Sequence, residues 1–163
     1  RLVGSEMCIR DSIRIAADGS WYHEGGLIGR PALVKLFSTV LRREADGSYW
    51  LVTPVERGRI EVEDAPFIIT ALAVSGAGEA QQLTFRTNVD DEVHLGPGHP
   101  LAMRMPSQGG EDLRPYIMVR DGLEALVARP VFYELAEMSQ PGPDGLLGVW
   151  SGGAFFALEG EDR

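Results

Sequence analysis

The sequence predicts an α+β protein that is mainly antiparallel β. Three observations carry this. Short segments of alternating apolar and polar residues recur between Gly-rich and Asp-rich turns, the mark of half-buried strands. Only two stretches hold helical spacing, and each contains an Arg-Pro pair, Arg30-Pro31 and Arg129-Pro130. The longest apolar run, Phe67 to Val74, suits a buried strand and is far too short to cross a membrane.

In order along the chain, Ile13 to Gly25 reads as a hairpin turning at Asp18-Gly19, with Trp21 on its second strand. The stretch from Gly25 to Arg43 is the strongest helix. Pro31 fits a first helical turn, and Leu33, Val34, Leu36, Phe37, Val40 and Leu41 form one apolar stripe. Arg42 and Arg43 close it as cations at a C-terminal dipole. Tyr49 to Val55 is a strand stopped by Pro54, and Ile60 and Val62 alternate with Glu61 and Glu63 in the next. A hairpin pair is expected around Ser75 to Gly78, followed by strands at Asp91–Gly96, Leu101–Ser107 and Arg114–Gly122. Gly122 to Met138 reads as helical, with Pro130 kinking it or starting a new helix, because proline lacks the amide donor. Ser139 to Gly145 has the composition of a linker, and Leu146 to Gly160 reads as one last strand returning to the body. The two Arg-Pro helices both follow a strand and a turn, which suggests two similar halves.

The first twelve residues do not share this order. One choice of codons for RLVGSEMCIRDS spells DNA resembling a transposase sequencing adaptor in one frame. Residues 1–12 are therefore expected to be adaptor-derived and are set aside. Cys8 falls within them, so no thiol chemistry, disulfide or cysteine zinc site is expected. The native protein is expected to extend upstream of Ile13. The expected units are 13–64, a β-rich subdomain with one helix; 65–140, a second ending in a kinked helix; and 141–163, linker and returning strand.

Apolar content of 44% and charged content of 24% describe a soluble globular domain. The net charge of −9 is uneven: residues 13–59 are net +2 and residues 60–163 net −11. Such an acidic chain argues against nonspecific binding to nucleic acid or an anionic membrane, both of which need a basic face.

Four segments hold candidate chemistry. Gly29 and Arg30 stand at a helix N-terminus, where free amides and a fork donor suit an anion, and Lys35 lies about one turn on. Asp90, Asp91, Glu92, His94 and His99 could supply acid/base pairs, although their spacing matches neither a calcium loop nor a helical zinc motif. Glu56, Arg57, Arg59, Glu61, Glu63 and Asp64 alternate in sign along a strand, as on a face that docks a peptide or subunit, with Arg86 and Arg104 as cross-strand partners. Ser151 lacks the glycine two residues before it that a nucleophile elbow needs, that place being Val149. Gly76 to Gln81 lacks the last glycine of a dinucleotide loop.

Several long segments, among them DGSWYHEGGLIGRPALVKLFSTVLRR, YWLVTPVERGRIEVEDAPF, RPYIMVRDGLEALVARPVFYEL and GVWSGGAFF, resemble the bacterial proteins grouped as domain of unknown function 1285. The resemblance covers Ile13 to Leu158. It implies two small β-rich subdomains, each a curved sheet with a helix, similar to pleckstrin-homology-like barrels, and it implies no reaction, cofactor or catalytic residue. His23 departs from the pattern, where an aromatic is more usual.

The expected function is a cytoplasmic, noncatalytic module that binds a small ligand, peptide or protein, with a signalling or regulatory role by analogy of fold. The alternatives are an enzyme using the acid/base groups of Asp90 to His99, and a homo-oligomer built by edge pairing. The candidate ligand-binding residues are Gly29, Arg30, Lys35, Arg57, Asp91, Glu92, His94 and His99, with no metal and no cofactor expected.

Overall fold

A computed structural model describes residues 13–55, 57–106 and 112–159. The expected adaptor segment, residues 1–12, lies outside the described residues. Among the described residues the protein is α+β, with two six-stranded curled sheets, a three-stranded sheet, two short α-helices and one 3-10 turn, Gly78–Ala80.

The N-terminal sheet contains β1 (Ile13–Ile15), β2 (Trp21–His23), β3 (Gly26–Leu27), β4 (Leu41–Arg43), β5 (Tyr49–Val52) and β6 (Arg57–Val62), in the order β3-β2-β1-β6-β5-β4. Every pairing is antiparallel except β1 with β6. Helix α1 (Pro31–Thr39) joins β3 to β4. The second sheet contains β7 (Phe67–Ser75), β8 (Gln82–Thr87), β9 (Glu92–His94), β10 (Leu101–Arg104), β11 (Arg114–Arg120) and β12 (Leu123–Val127), in the order β10-β11-β12-β7-β8-β9. It too has a single parallel pair, β12 with β7. Helix α2 (Arg129–Glu137) follows, then β13 (Gln140–Pro141), β14 (Leu147–Ser151) and β15 (Ala154–Ala157).

The echo in the sequence has a structural counterpart. Each helix follows a hairpin whose two turn residues adopt left-handed backbone, Glu24-Gly25 before α1 and Asp121-Gly122 before α2. Each helix begins with proline in its first turn and leads into three antiparallel strands. The second helical expectation is corrected here. Gly122 to Val127 is not helical, because Leu123, Ala125 and Val127 are buried in alternation with Glu124 and Leu126. Proline therefore starts α2 and does not kink a longer helix.

Other elements also differ from expectation. Leu41 is fully buried on β4, so Arg42 and Arg43 are strand residues, although Arg42 Nη1 still donates to the carbonyl of Thr39, the last residue of α1. Leu36 is 60% exposed, which narrows the buried stripe of α1 to half-buried Leu33, Val34, Phe37 and Val40. The segment expected as a linker forms β13 and a tight turn, and the single returning strand is two, β14 and β15, reversing at Gly152-Gly153. Those glycines hold positive φ, which a bulkier residue adopts only with strain. The turn also passes so close to β9's end that a Cβ on Gly152 would lie 2.9 Å from the Leu95 carbonyl oxygen.

One apolar core runs through both sheets, from Ile15, Trp21 and Leu51 to Phe67, Phe85, Ile117 and Leu135. Phe37 brings α1 onto it, its ring stacked on Trp21 at 6.0 Å. Polar contacts close the seam between the halves. Arg43 Nη1 donates to the Gly122 carbonyl (3.0 Å) and Arg120 Nη2 to the Ser38 carbonyl (2.7 Å). The Asn88 amide accepts from Ile68 N and donates to the Gly19 carbonyl, holding the first hairpin against β7.

Candidate functional site

The residues singled out by sequence fall in separate places. Gly29 and Arg30 are exposed before α1, and the Arg30 carbonyl accepts from the Leu33 and Val34 amides at 3.0 and 3.2 Å. Lys35 reaches across the seam to pair with Asp90, and this contact holds the Asp90 carboxyl below the usual carboxylate range. Glu92 pairs with Arg86 at 3.2 Å. Asp91 is exposed, its amide donating to Thr87 Oγ1. His94 Nδ1 lies 2.9 Å from Thr84 Oγ1, whereas His99 Nδ1 lies 3.0 Å from the Met118 carbonyl. The two imidazoles thus have different partners. Among the described residues, no group of three or more His, Cys, Asp or Glu could hold a metal ion. Ser151 is fully buried as a pin: its Oγ donates to the Leu95 carbonyl and accepts from Leu83 N and Gln82 Nε2.

Arg57 belongs to a more ordered arrangement. Strands β4, β5 and β6 bury Leu41, Leu51, Gly58 and Ile60 on one face, so alternation turns Arg42, Trp50, Arg57 and Arg59 to the other. The register sets Arg42 opposite Trp50, and Trp50 opposite Arg59, in one row across three strands. The Arg57 guanidinium carbon lies 4.3 Å from the centre of the Trp50 ring, in cation–π contact. The ring itself is fixed. Trp50 Nε1 donates to Ser48 Oγ (2.8 Å), and Ser48 Oγ donates to Asp46 Oδ1 (2.6 Å), which also accepts from Ser48 N (2.9 Å). Those bonds, the hydroxyl's first, hold the Asp46 carboxyl below its ordinary range. Arg57 also pairs with Glu44 at 3.2 Å, an exposed contact of small energetic weight. Among the described residues, Arg42 and Arg59 pair with no carboxylate; Arg42 donates to the Thr39 and Leu41 carbonyls. On β1 and β2, Arg14 covers Tyr22 in the same way at 4.5 Å and pairs with Glu63.

A second polar cluster is buried at the seam. Tyr116 is 0% exposed and donates its hydroxyl to Asp64, itself 6% exposed, with oxygen separations of 2.7 and 3.0 Å. Arg104 lies over the Tyr116 ring at 3.7 Å and pairs with Glu124. Burial, then the Asp64 hydrogen bond and charge, pushes the Tyr116 hydroxyl far above its ordinary value. Burial raises Tyr49 as well. The cluster ties β10, β11 and β12 to the segment leaving β6. Sequence reading expected Arg86 and Arg104 as cross-strand partners of the Glu56–Asp64 charges, but they pair with Glu92 and Glu124 in the second sheet, and it did not join Tyr116 to Asp64, 52 residues apart. It also missed the Trp50 lock, whose signal is the Asp-Gly-Ser turn immediately before the strand.

Residues 5–65 match the profile of the domain of unknown function DUF1285, N-terminal domain, and residues 66–158 that of the protein of unknown function DUF1285, C-terminal domain. The first match begins inside the stretch expected to be adaptor. The crystal structure of a DUF1285 family protein from Silicibacter pomeroyi DSS-3 is 46% identical, with a TM-score of 0.83, over 90% of this chain and 79% of that one. That of a DUF1285 family protein from Shewanella baltica OS155 is 25% identical, with a TM-score of 0.59, over 77% of this chain and 91% of that one. A comparison with curated proteins gives no match.

Proposed function

The chain belongs to the DUF1285 family, whose descriptions assign no reaction, and from that premise we propose that it is a noncatalytic binding module. Its binding surface is the outer face of the N-terminal sheet, centred on Trp50. One observation carries the reading: an indole on an open sheet face, locked through Ser48 to Asp46 and surrounded by Arg42, Arg57 and Arg59. A locked ring loses little freedom when a partner docks, so its contact area converts efficiently into affinity. Tryptophan and arginine are also the residues that most often dominate protein interfaces. In this reading the chain recruits a partner and transforms no substrate, the sense in which a regulatory role fits it.

Selection of random displayed peptides on the immobilised full chain tests the proposal. Peptides that bind the native chain and lose binding to Trp50→Ala are the expected result. If every selected peptide binds Trp50→Ala equally well, or none binds at all, the reading fails.

A further inference from the structure

We propose that the Trp50 face takes an acidic peptide in extended conformation, with two carboxylates two residues apart. The inference rests on the binding reading above and adds the chemistry of the partner.

The chain has 24 Asp and Glu against 15 Lys and Arg, so a group of three arginines around one tryptophan is not what its composition favours. Arg57 and Arg59 stand two residues apart on β6, on the same face, with side chains about 7 Å from one another along the strand. A peptide in extended conformation displays the side chains of alternate residues at that same spacing, about 7 Å, on one side. Each guanidinium can then meet a carboxylate through its fork of parallel donors. Arg42 stands on the other side of Trp50 from Arg59 and gives the site a third cation. The exposed part of the Trp50 ring supplies apolar contact for the intervening backbone.

Arg59 is central to the proposal. It makes no hydrogen bond or ion pair among the described residues, while Arg57 is already stacked on Trp50 and paired with Glu44. A bound carboxylate on Arg59 therefore displaces no hydrogen bond or ion pair and joins only the longer-range attraction of Arg59 to Asp46. A nucleic acid fits less well. Glu44, Glu61 and Glu63 are interleaved with the arginines on or beside this face, and a chain of net charge −9 repels a long polyanion.

The test uses the full chain and a short fluorescein-labelled peptide of alternating Glu and Ala, read by fluorescence anisotropy. A Ser-Ala peptide, a Lys-Ala peptide and an oligodeoxythymidine serve as comparison probes. The Glu-Ala peptide should bind most tightly and weaken as salt rises. Arg59→Ala should weaken it about tenfold, the loss of one charge-assisted contact. Arg59→Glu should abolish it and strengthen Lys-Ala binding, a gain that a merely misfolded variant does not show. Arg129→Ala, an exposed change on α2, should leave the affinity unchanged. Equal binding of Glu-Ala and Ser-Ala, no effect of either Arg59 change, or preference for the oligodeoxythymidine overturns the proposal. Failure here together with Trp50-dependent selection of non-acidic peptides removes only the partner class. Absence of any Trp50-dependent peptide removes the binding reading itself.

Discussion

Replacing Tyr116 by Phe isolates one buried hydroxyl. The ring keeps its place under Arg104 and in the core, and only the donor to Asp64 disappears. Asp64 is 6% exposed, so water cannot readily replace that donor. A hydrogen bond to a charged group contributes about 1.5–3 kcal/mol. Asp64 retains other interactions, which places the expected loss near the middle of that range, about 2 kcal/mol. For a chain of this length, 1 kcal/mol moves the melting temperature by roughly 2–4 °C, so a drop of about 4–8 °C is expected. Urea unfolding followed by far-ultraviolet circular dichroism gives the free energy, and an unchanged m-value confirms that the denatured state is not the cause. In a cycle with Asp64→Ala, the double variant should cost less than the sum of the singles by about 1–3 kcal/mol. A loss under about 0.5 kcal/mol for Tyr116→Phe, or additive costs, refutes the claim that this bond holds the seam.

Two further outcomes concern buried hydroxyls, Tyr116 again and Ser151. The Tyr116 hydroxyl ionises far above its ordinary value in the folded chain, so above pH ~10 the unfolded chain releases a proton that the folded chain retains. Stability is complete below that pH and falls as pH rises past it. The slope approaches about 1.4 kcal/mol per pH unit, and a flatter alkaline limb in Tyr116→Phe, with Tyr49 present in both, is the check. Ser151→Ala strands the Leu83 amide in the core and leaves the Leu95 carbonyl with Gln82 Nε2 as its remaining side-chain donor, at a cost of about 1–3 kcal/mol. Hydrogen exchange at Leu83 should accelerate, and unchanged protection there means that Ser151 does not pin the C-terminal strands.

Local features of the chain were enough for β1, β2, β5 and β6 and for the first turn of α1, whereas β3 and β4 lay inside the stretch read as helix and Pro130 was read as either a kink or a start. Alternation along Arg57 to Val62 specifies which residues face inward, and proline after arginine specifies where α1 begins. Gly122 to Val127 was not legible in this way. Leu123, Leu126 and Val127 satisfy a helical spacing, and what makes them a strand is pairing with β7 on one side and β11 on the other. Leu41 likewise extends the helical stripe in sequence, yet it pairs with Leu51 across β4 and β5.

The candidate sites divide along the same line. Arg57 stood out as part of a strand of alternating charge, but its contact with Trp50 and the row of Arg42, Trp50 and Arg59 depend on strand register. Lys35 and Asp90, 55 positions apart in the numbering, met only when the halves closed. By itself, the sequence determined the family, the β-rich α+β class, the two turn-and-helix units and the exposure of the charged face, because these follow from short-range periodicity and turn chemistry. Only the tertiary structure decided which cations surround an indole, which carboxylate accepts the hydrogen bond of a buried tyrosine and which histidines stay apart. Those contacts join residues far apart along the chain, and their partners are chosen by packing and register across the seam.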